Sequence, residues 1–241
     1  KLHDELATLK FLEREKAEFM RILVHELRAP VGTSKSLAAA LRYVNQEDPK
    51  LDSVLGRIEA RMDELLTLVD DILRLSQIKE GRPLGDIDVY DLVIKTGADC
   101  EAYLDEATAK GLSLSLDLPA SPVLVRIDLQ AYHLILSNLI SNAIKYTPAG
   151  SIQVSLRRQG PWAVLRVKDT GMGIPEADVS RLFNEFFRAS NARRSQIPGT
   201  GVGLAGVKEL VERFDGELEL VSEENRGSAF TVRLPLFDGE D

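Results

Sequence analysis

The sequence predicts an antiparallel helical hairpin followed by an α+β two-layer sandwich. Three observations predict it. Residues 1–80 contain only two glycines, Gly32 and Gly56, and two prolines, Pro30 and Pro49. Within them Leu51, Leu55, Ile58, Met62, Leu65, Val69 and Ile72 recur at alternating spacings of four and three, which is a heptad seam. Beyond residue 82 the pattern changes to short alternating runs, of which Gly111–Leu118 (GLSLSLDL) is the clearest half-buried strand.

The elements follow in order. The first helix carries Leu2, Leu6 and Leu9, then shifts its seam to reach Phe19, Leu23 and Leu27. Residues 45–49 (NQEDP) break it and make the hairpin turn. The second helix carries the heptad seam. A single hairpin buries too little apolar surface, so two are expected to pair as a four-helix bundle. Gly81 to Pro83 opens the second unit, giving domains at 1–81 and 82–241. In that unit strands are expected at 111–118, 123–127, 151–157, 162–168, 216–222 and 228–234. Helices are expected at 89–109, 128–146 and 201–214. Together they imply a mixed sheet with helices on one face. Residues 183–200 lack periodicity, and irregular loops of that length are usually functional or mobile.

Composition limits the function classes. The 241 residues include 30 Lys and Arg against 38 Asp and Glu, a net charge of −8, which argues against a broadly basic nucleic-acid binder. Cys100 is the only cysteine, so no internal disulfide or cysteine zinc site can form. No run approaches 18 consecutive apolar residues, so no segment is expected to span a bilayer. The chain starts at Lys1 rather than Met and is expected to be a fragment.

Four segments carry chemistry. In residues 25–30 (HELRAP), a helical wheel turns His25 away from Phe19, Ile22, Leu23 and Leu27. An exposed imidazole beside the Glu26 carboxylate is a potential nucleophile with a partner for its ring proton. A solvated surface pair would look the same. In residues 138–146 (NLISNAIKY), Asn138 and Asn142 share a helix face, with Lys145 close by. Two carboxamides and an ammonium can hold a hydrated magnesium ion and its phosphates. In residues 169–174 (DTGMGI), Asp169 follows a strand and can accept from an exocyclic amine, while the glycines admit a flat ring. In residues 199–204 (GTGVGL), backbone amides at the start of a helix can cradle phosphate.

Their order in the chain carries more weight than any one of them. Over essentially its whole length the chain resembles the catalytic core of a bacterial-type sensor histidine kinase of two-component systems. HELRAP resembles the phosphoacceptor box, NLISNAIKY the asparagine box and DTGMGI the first glycine box. Residues 182–188 (LFNEFFR) resemble the phenylalanine box and GTGVGL the second glycine box.

The resemblance implies a dimerisation and phosphotransfer hairpin, then an ATP-binding sandwich of the gyrase, chaperone and histidine kinase type. It implies ATP-dependent autophosphorylation of His25 and transfer to an aspartate on the receiver domain of a response regulator. Carried over by position, His25 is the phosphoacceptor, Glu26 its acid/base partner and Asn142 the Mg2+ ligand, with Asn138 alongside. Lys145 contacts phosphate, Tyr146 packs near adenine, and Asp169 binds the adenine amine in a pocket shaped by Gly171 and Gly173. Phe183, Phe186 and Phe187 anchor a lid, and Arg188 approaches the γ-phosphate. Gly199, Thr200, Gly201, Gly203 and Leu204 form the phosphate cradle.

ATP and Mg2+ are the implied cofactors, and the fragment is expected to be a cytoplasmic homodimer. Membrane contact would come only through segments absent from this chain. Water-activating ATPases of the same fold carry Glu where Asn138 stands, and Asn cannot act as a general base. A non-catalytic dimeric scaffold would not need the phosphate-site residues. Ala29 departs from relatives that carry Thr or Asn there, and its methyl group argues against phosphatase activity towards the regulator.

Overall fold

The structure is a computed structural model describing residues 24, 27, 28, 31–43, 49–195 and 197–239. It divides into two compact units: residues 1–82 with 198–202, and residues 83–197 with 203–241.

In the helical unit, α1 is described over 31–43 and α2 runs Pro49–Lys79. Ion pairs run between them: Arg28 with Asp70, Lys35 with Asp63, and Arg42 with Asp52 at 2.6 Å. A seven-residue step forward from Arg28 to Lys35 matches a seven-residue step back from Asp70 to Asp63, the register of an antiparallel hairpin. Ala38, Leu55, Val69, Leu75 and Ile78 are buried. Two seam residues reach the surface, Leu65 at 50% exposed and Ile58; Val54 on α2 and Leu37 and Leu41 on α1 are open as well. The seam residues Leu2, Leu6 and Leu9, the turn at 45–48 and the box residues His25, Glu26, Ala29 and Pro30 lie outside the described residues.

In the α/β unit, a two-stranded sheet pairs β1 (Ile87–Asp91) with β3 (Leu124–Asp128). The larger sheet has the order β2-β4-β5-β7-β6, from β2 (Leu112–Asp117), β4 (Gly150–Gln159), β5 (Trp162–Asp169), β6 (Glu217–Glu223) and β7 (Gly227–Pro235). Only β2 and β4 pair in parallel, so the sheet is mixed. Helix α5 (Leu129–Tyr146) buries Tyr132, Ile135, Leu136, Leu139, Ile140 and Ile144, an apolar stripe at helical spacing. It packs against β5 and against α8 (Gly203–Arg213). Ile152, Val154, Leu156, Leu165 and Val167 are buried on the strands. Each such side chain contributes about 1.5–3 kcal/mol on burial.

One expected element is corrected. Residues 89–109 are not a single helix: β1 comes first, then α3 (Leu92–Glu101) and α4 (Leu104–Ala109). Asp91 explains the switch. Its carboxylate accepts from the backbone N–H of Val93 at 3.0 Å, capping α3, and from that of Val123 at 3.0 Å, beside β3. Asp128 does similar work at α5. Its Oδ1 accepts from the N–H groups of Gln130 and Ala131, and its Oδ2 from those of Leu84 and Gly85. The segment leaving the hairpin is thereby tied to the start of the helix that bears Asn138 and Asn142.

The stretch 183–200 is mostly irregular, as expected, but contains a short helix, α7 (Ser190–Arg194). A further turn of helix, α6 (Glu176–Val179), precedes it. Among the described residues no helix is long and apolar enough to cross a membrane.

Candidate active site

Asp169 is the last residue of β5, and its side chain is only 6% exposed. Its Oδ1 accepts from the backbone N–H of Gly171 at 2.8 Å and of Ser228 at 3.2 Å. No hydrogen bond among the described residues uses Oδ2. Burial raises the carboxyl pKa above the ordinary aspartate value, and the two backbone donors partly offset that rise. The group is therefore a fixed acceptor, with one oxygen clamped and one available.

The turn after it is tightly enclosed. The Met172 N–H donates to the Tyr146 carbonyl at 3.1 Å, joining the turn to the end of α5. A Cβ on Gly171 would run into that same carbonyl. Gly173 has φ +58, and a Cβ there would strike the backbone of Glu223. Asn191, buried on α7, donates from Nδ2 to the Gly173 carbonyl at 2.9 Å and holds the turn from its other side.

Helix α5 supplies the second wall. Asn138 and Asn142 are half-buried on one face, as the i, i+4 spacing predicts. The Asn138 Nδ2 donates to the Leu134 carbonyl at 2.8 Å, and its Oδ1 lies where a side chain on Gly203 would have to go. Glycine at 203 thus lets the start of α8 approach α5 closely. The Asn142 side chain makes no hydrogen bond among the described residues, so its carbonyl oxygen, a hard donor, is free to ligate a cation. Lys145 lies over the Tyr146 ring, 5.3 Å from its centroid. Burial raises the Tyr146 hydroxyl pKa, and the nearby Arg188 charge opposes that rise.

The remaining residues are less closely gathered. Phe186 is exposed and has a left-handed backbone, φ 59. Phe187 stacks under Arg181 at 4.5 Å, and Phe183 is half-buried. Arg188 donates to the Ile197 carbonyl, and its buried Nε has no partner. Residues 198–202 group with the helices, where the Thr200 hydroxyl donates to Asp71 at 2.6 Å. This stretch includes Gly199 and Gly201, whereas Gly203 and Leu204 open α8 in the α/β unit. Among the described residues no group of three or more His, Cys, Asp and Glu could hold a metal.

Sequence reasoning missed Asn191, Ser228 and Thr147, whose positions depend on long-range packing. Thr147 alone had a local signal, because it directly follows Tyr146.

Two family models match the chain. His Kinase A (phospho-acceptor) domain matches residues 15–81, and Histidine kinase-, DNA gyrase B-, and HSP90-like ATPase matches residues 127–238. The circadian input-output histidine kinase CikA of Synechococcus elongatus is 34% identical over 97% of this chain and 32% of its own length. The sensor histidine kinase RppB of Synechocystis is 30% identical over 93% of this chain and 50% of its own. The chain thus spans half or less of these relatives. Among solved structures, the Acinetobacter baumannii histidine kinase AdeS superposes with a TM-score of 0.64 at 26% identity, covering 89% of this chain and 98% of that one. Full-length ShkA, solved in complex with AMPPNP, has a TM-score of 0.72 at 24% identity over 91% of this chain and 46% of its own, a likeness of fold. With the fold, the order of the boxes and both family models in agreement, the chain belongs to the sensor histidine kinases and carries their phosphoacceptor and ATPase-type domains.

Proposed function

We propose that this chain binds ATP between α5 and the 169–173 turn and transfers the γ-phosphoryl group to His25, from which it passes to an aspartate on a response regulator's receiver domain. The observation that carries this reading is the clamped, buried Asp169, one carboxylate oxygen held by two backbone donors and the other available to an adenine amine. Tyr146 offers a ring at the same turn, and glycine at 171 lets that turn close on the end of α5.

On this reading the chain's own groups position and stabilise. Lys145 supplies positive charge for the phosphates, and Arg188 serves the γ-phosphate once it leaves the Ile197 carbonyl. Asn142 fits a magnesium ion as one carboxamide ligand among waters; when bound, the ion neutralises charge on the phosphates. Asn138 cannot deprotonate water, which favours transfer over hydrolysis. Glu26 takes the proton on the ring nitrogen of His25 that is not attacking, so the other nitrogen remains nucleophilic. On this reading the phosphotransfer domain is 1–81 and the ATP-binding domain 82–241. The open seam residues Leu65 and Ile58, with Val54 exposed beside them, support a homodimer through the hairpin. An ATP-consuming domain works in the cytoplasm, where the reading puts this piece.

Incubation with MgATP labelled on the γ-phosphate tests the proposal. The expected label is acid-labile and alkali-stable, as a phosphoramidate is, and is lost in His25→Gln. Undiminished label in that variant overturns the assignment.

A further inference from the structure

The end of α5 is held from two sides. The Lys110 ammonium donates to the carbonyls of Ile144 at 2.5 Å and Lys145 at 3.0 Å, and the Met172 N–H donates to that of Tyr146. Thr147 comes next and is fully buried, yet its hydroxyl has no hydrogen-bond partner. A buried hydroxyl in that state costs free energy, and most native structures avoid it. Its location gives the reason. A Cβ built on Gly171 would lie 2.4 Å from the Tyr146 carbonyl, 2.8 Å from Thr147 Oγ1 and 2.9 Å from Asp169 Oδ1, so all three oxygens close around the Gly171 turn. Asp169 Oδ1 is already committed to two backbone donors.

We propose that Thr147 selects the nucleobase: its hydroxyl donates to the ring nitrogen of adenine beside the amine that Asp169 accepts. The inference rests on the reading of this site as an ATP site. Adenine presents an amine donor next to a ring-nitrogen acceptor, and a carboxylate with a hydroxyl donor matches that pair. Guanine presents a carbonyl oxygen next to an N–H, so the carboxylate meets another acceptor. Sites built to hydrogen-bond one pattern reject the inverted one because their buried groups are left unpaired. The hydroxyl is closed off in the free protein, so a base reaches it only when the Gly171 turn shifts away from the end of α5. Relief of the orphaned group is thereby tied to the matching base.

The test uses the whole chain and two variants. Thr147→Val keeps the shape and removes the hydroxyl; Thr147→Ser keeps the hydroxyl. Affinities for ATP and GTP are measured by calorimetry, and melting temperature by scanning fluorimetry. In Thr147→Val the free protein should melt higher, because an unpaired buried hydroxyl is gone, while its ATP affinity falls about tenfold and its GTP affinity barely moves. Thr147→Ser should keep the parent ratio of ATP to GTP affinity. An unchanged ratio in Thr147→Val, a collapsed ratio in Thr147→Ser, or a lower melting temperature in Thr147→Val overturns the proposal while leaving the ATP site standing. Failure of the parent chain itself to bind ATP overturns the underlying reading and this inference with it.

Discussion

The helical unit and the α/β unit bury their apolar residues differently. In the α/β unit Ile135, Leu136, Leu139, Ile140, Leu156 and Val232 have no exposed surface at all. In the hairpin Leu55, Val69 and Ile78 are buried, but Leu65 is 50% and Leu37 61% exposed, and the ion pairs joining the helices lie at the surface. Such exposed pairs contribute at most about 1 kcal/mol each. The α/β unit therefore has a core sufficient for one copy of the chain. The hairpin leaves part of its apolar stripe open, which is the surface the proposed homodimer would cover.

Two substitutions break this comparison most directly. Leu139→Ala opens a cavity in the α/β core and should cost about 2–5 kcal/mol, seen as a lower denaturation midpoint at any protein concentration. Leu65→Ala should leave that midpoint nearly unchanged and instead weaken dimerisation, measured by sedimentation across a dilution series. Equal effects of the two on monomer stability would contradict the division.

A smaller effect sharpens it within the site. Asp169→Asn removes the adenine acceptor and should weaken ATP binding by about 1–3 kcal/mol. The same change should stabilise the free fold, because burial disfavours the ionised carboxyl. The sign follows from the raised pKa. The stability associated with the neutral carboxyl is complete below the unfolded-state value and is lost as pH rises through the folded value. ATP affinity should move the other way, falling as acidification protonates Asp169. Calorimetry of parent and variant across pH checks both; an affinity independent of pH in the parent would show that the ionised acceptor is not used.

The sequence made periodic and punctuated features legible. The 51–72 seam, the alternation at 111–118 and the shared face of Asn138 and Asn142 all depend on neighbours a few residues apart, and the structure has them in place. Residues 89–91 of β1 look helical in the sequence because Ile87, Val89 and Tyr90 are too few to establish a period; the deciding bond runs from Val123 to Asp91, across 32 residues. Ser228 reaches Asp169 across 59 residues, and Asn191 reaches Gly173 across 18. No local spacing could announce such partners. Thr147 was overlooked for another reason: one threonine after a motif looks ordinary until its burial and its unpaired hydroxyl are known.

The proposed function assigns ATP to one unit and acceptance of the phosphoryl group to the other. The most direct measurement prepares residues 1–82 and residues 83–241 as separate fragments, incubates each with MgATP labelled on the γ-phosphate, and then mixes them at high concentration. Residues 83–241 should bind ATP but take no label, residues 1–82 alone should take none, and the mixture should carry acid-labile label on 1–82 only. Label retained on 83–241, or label on 1–82 without its partner, would contradict it.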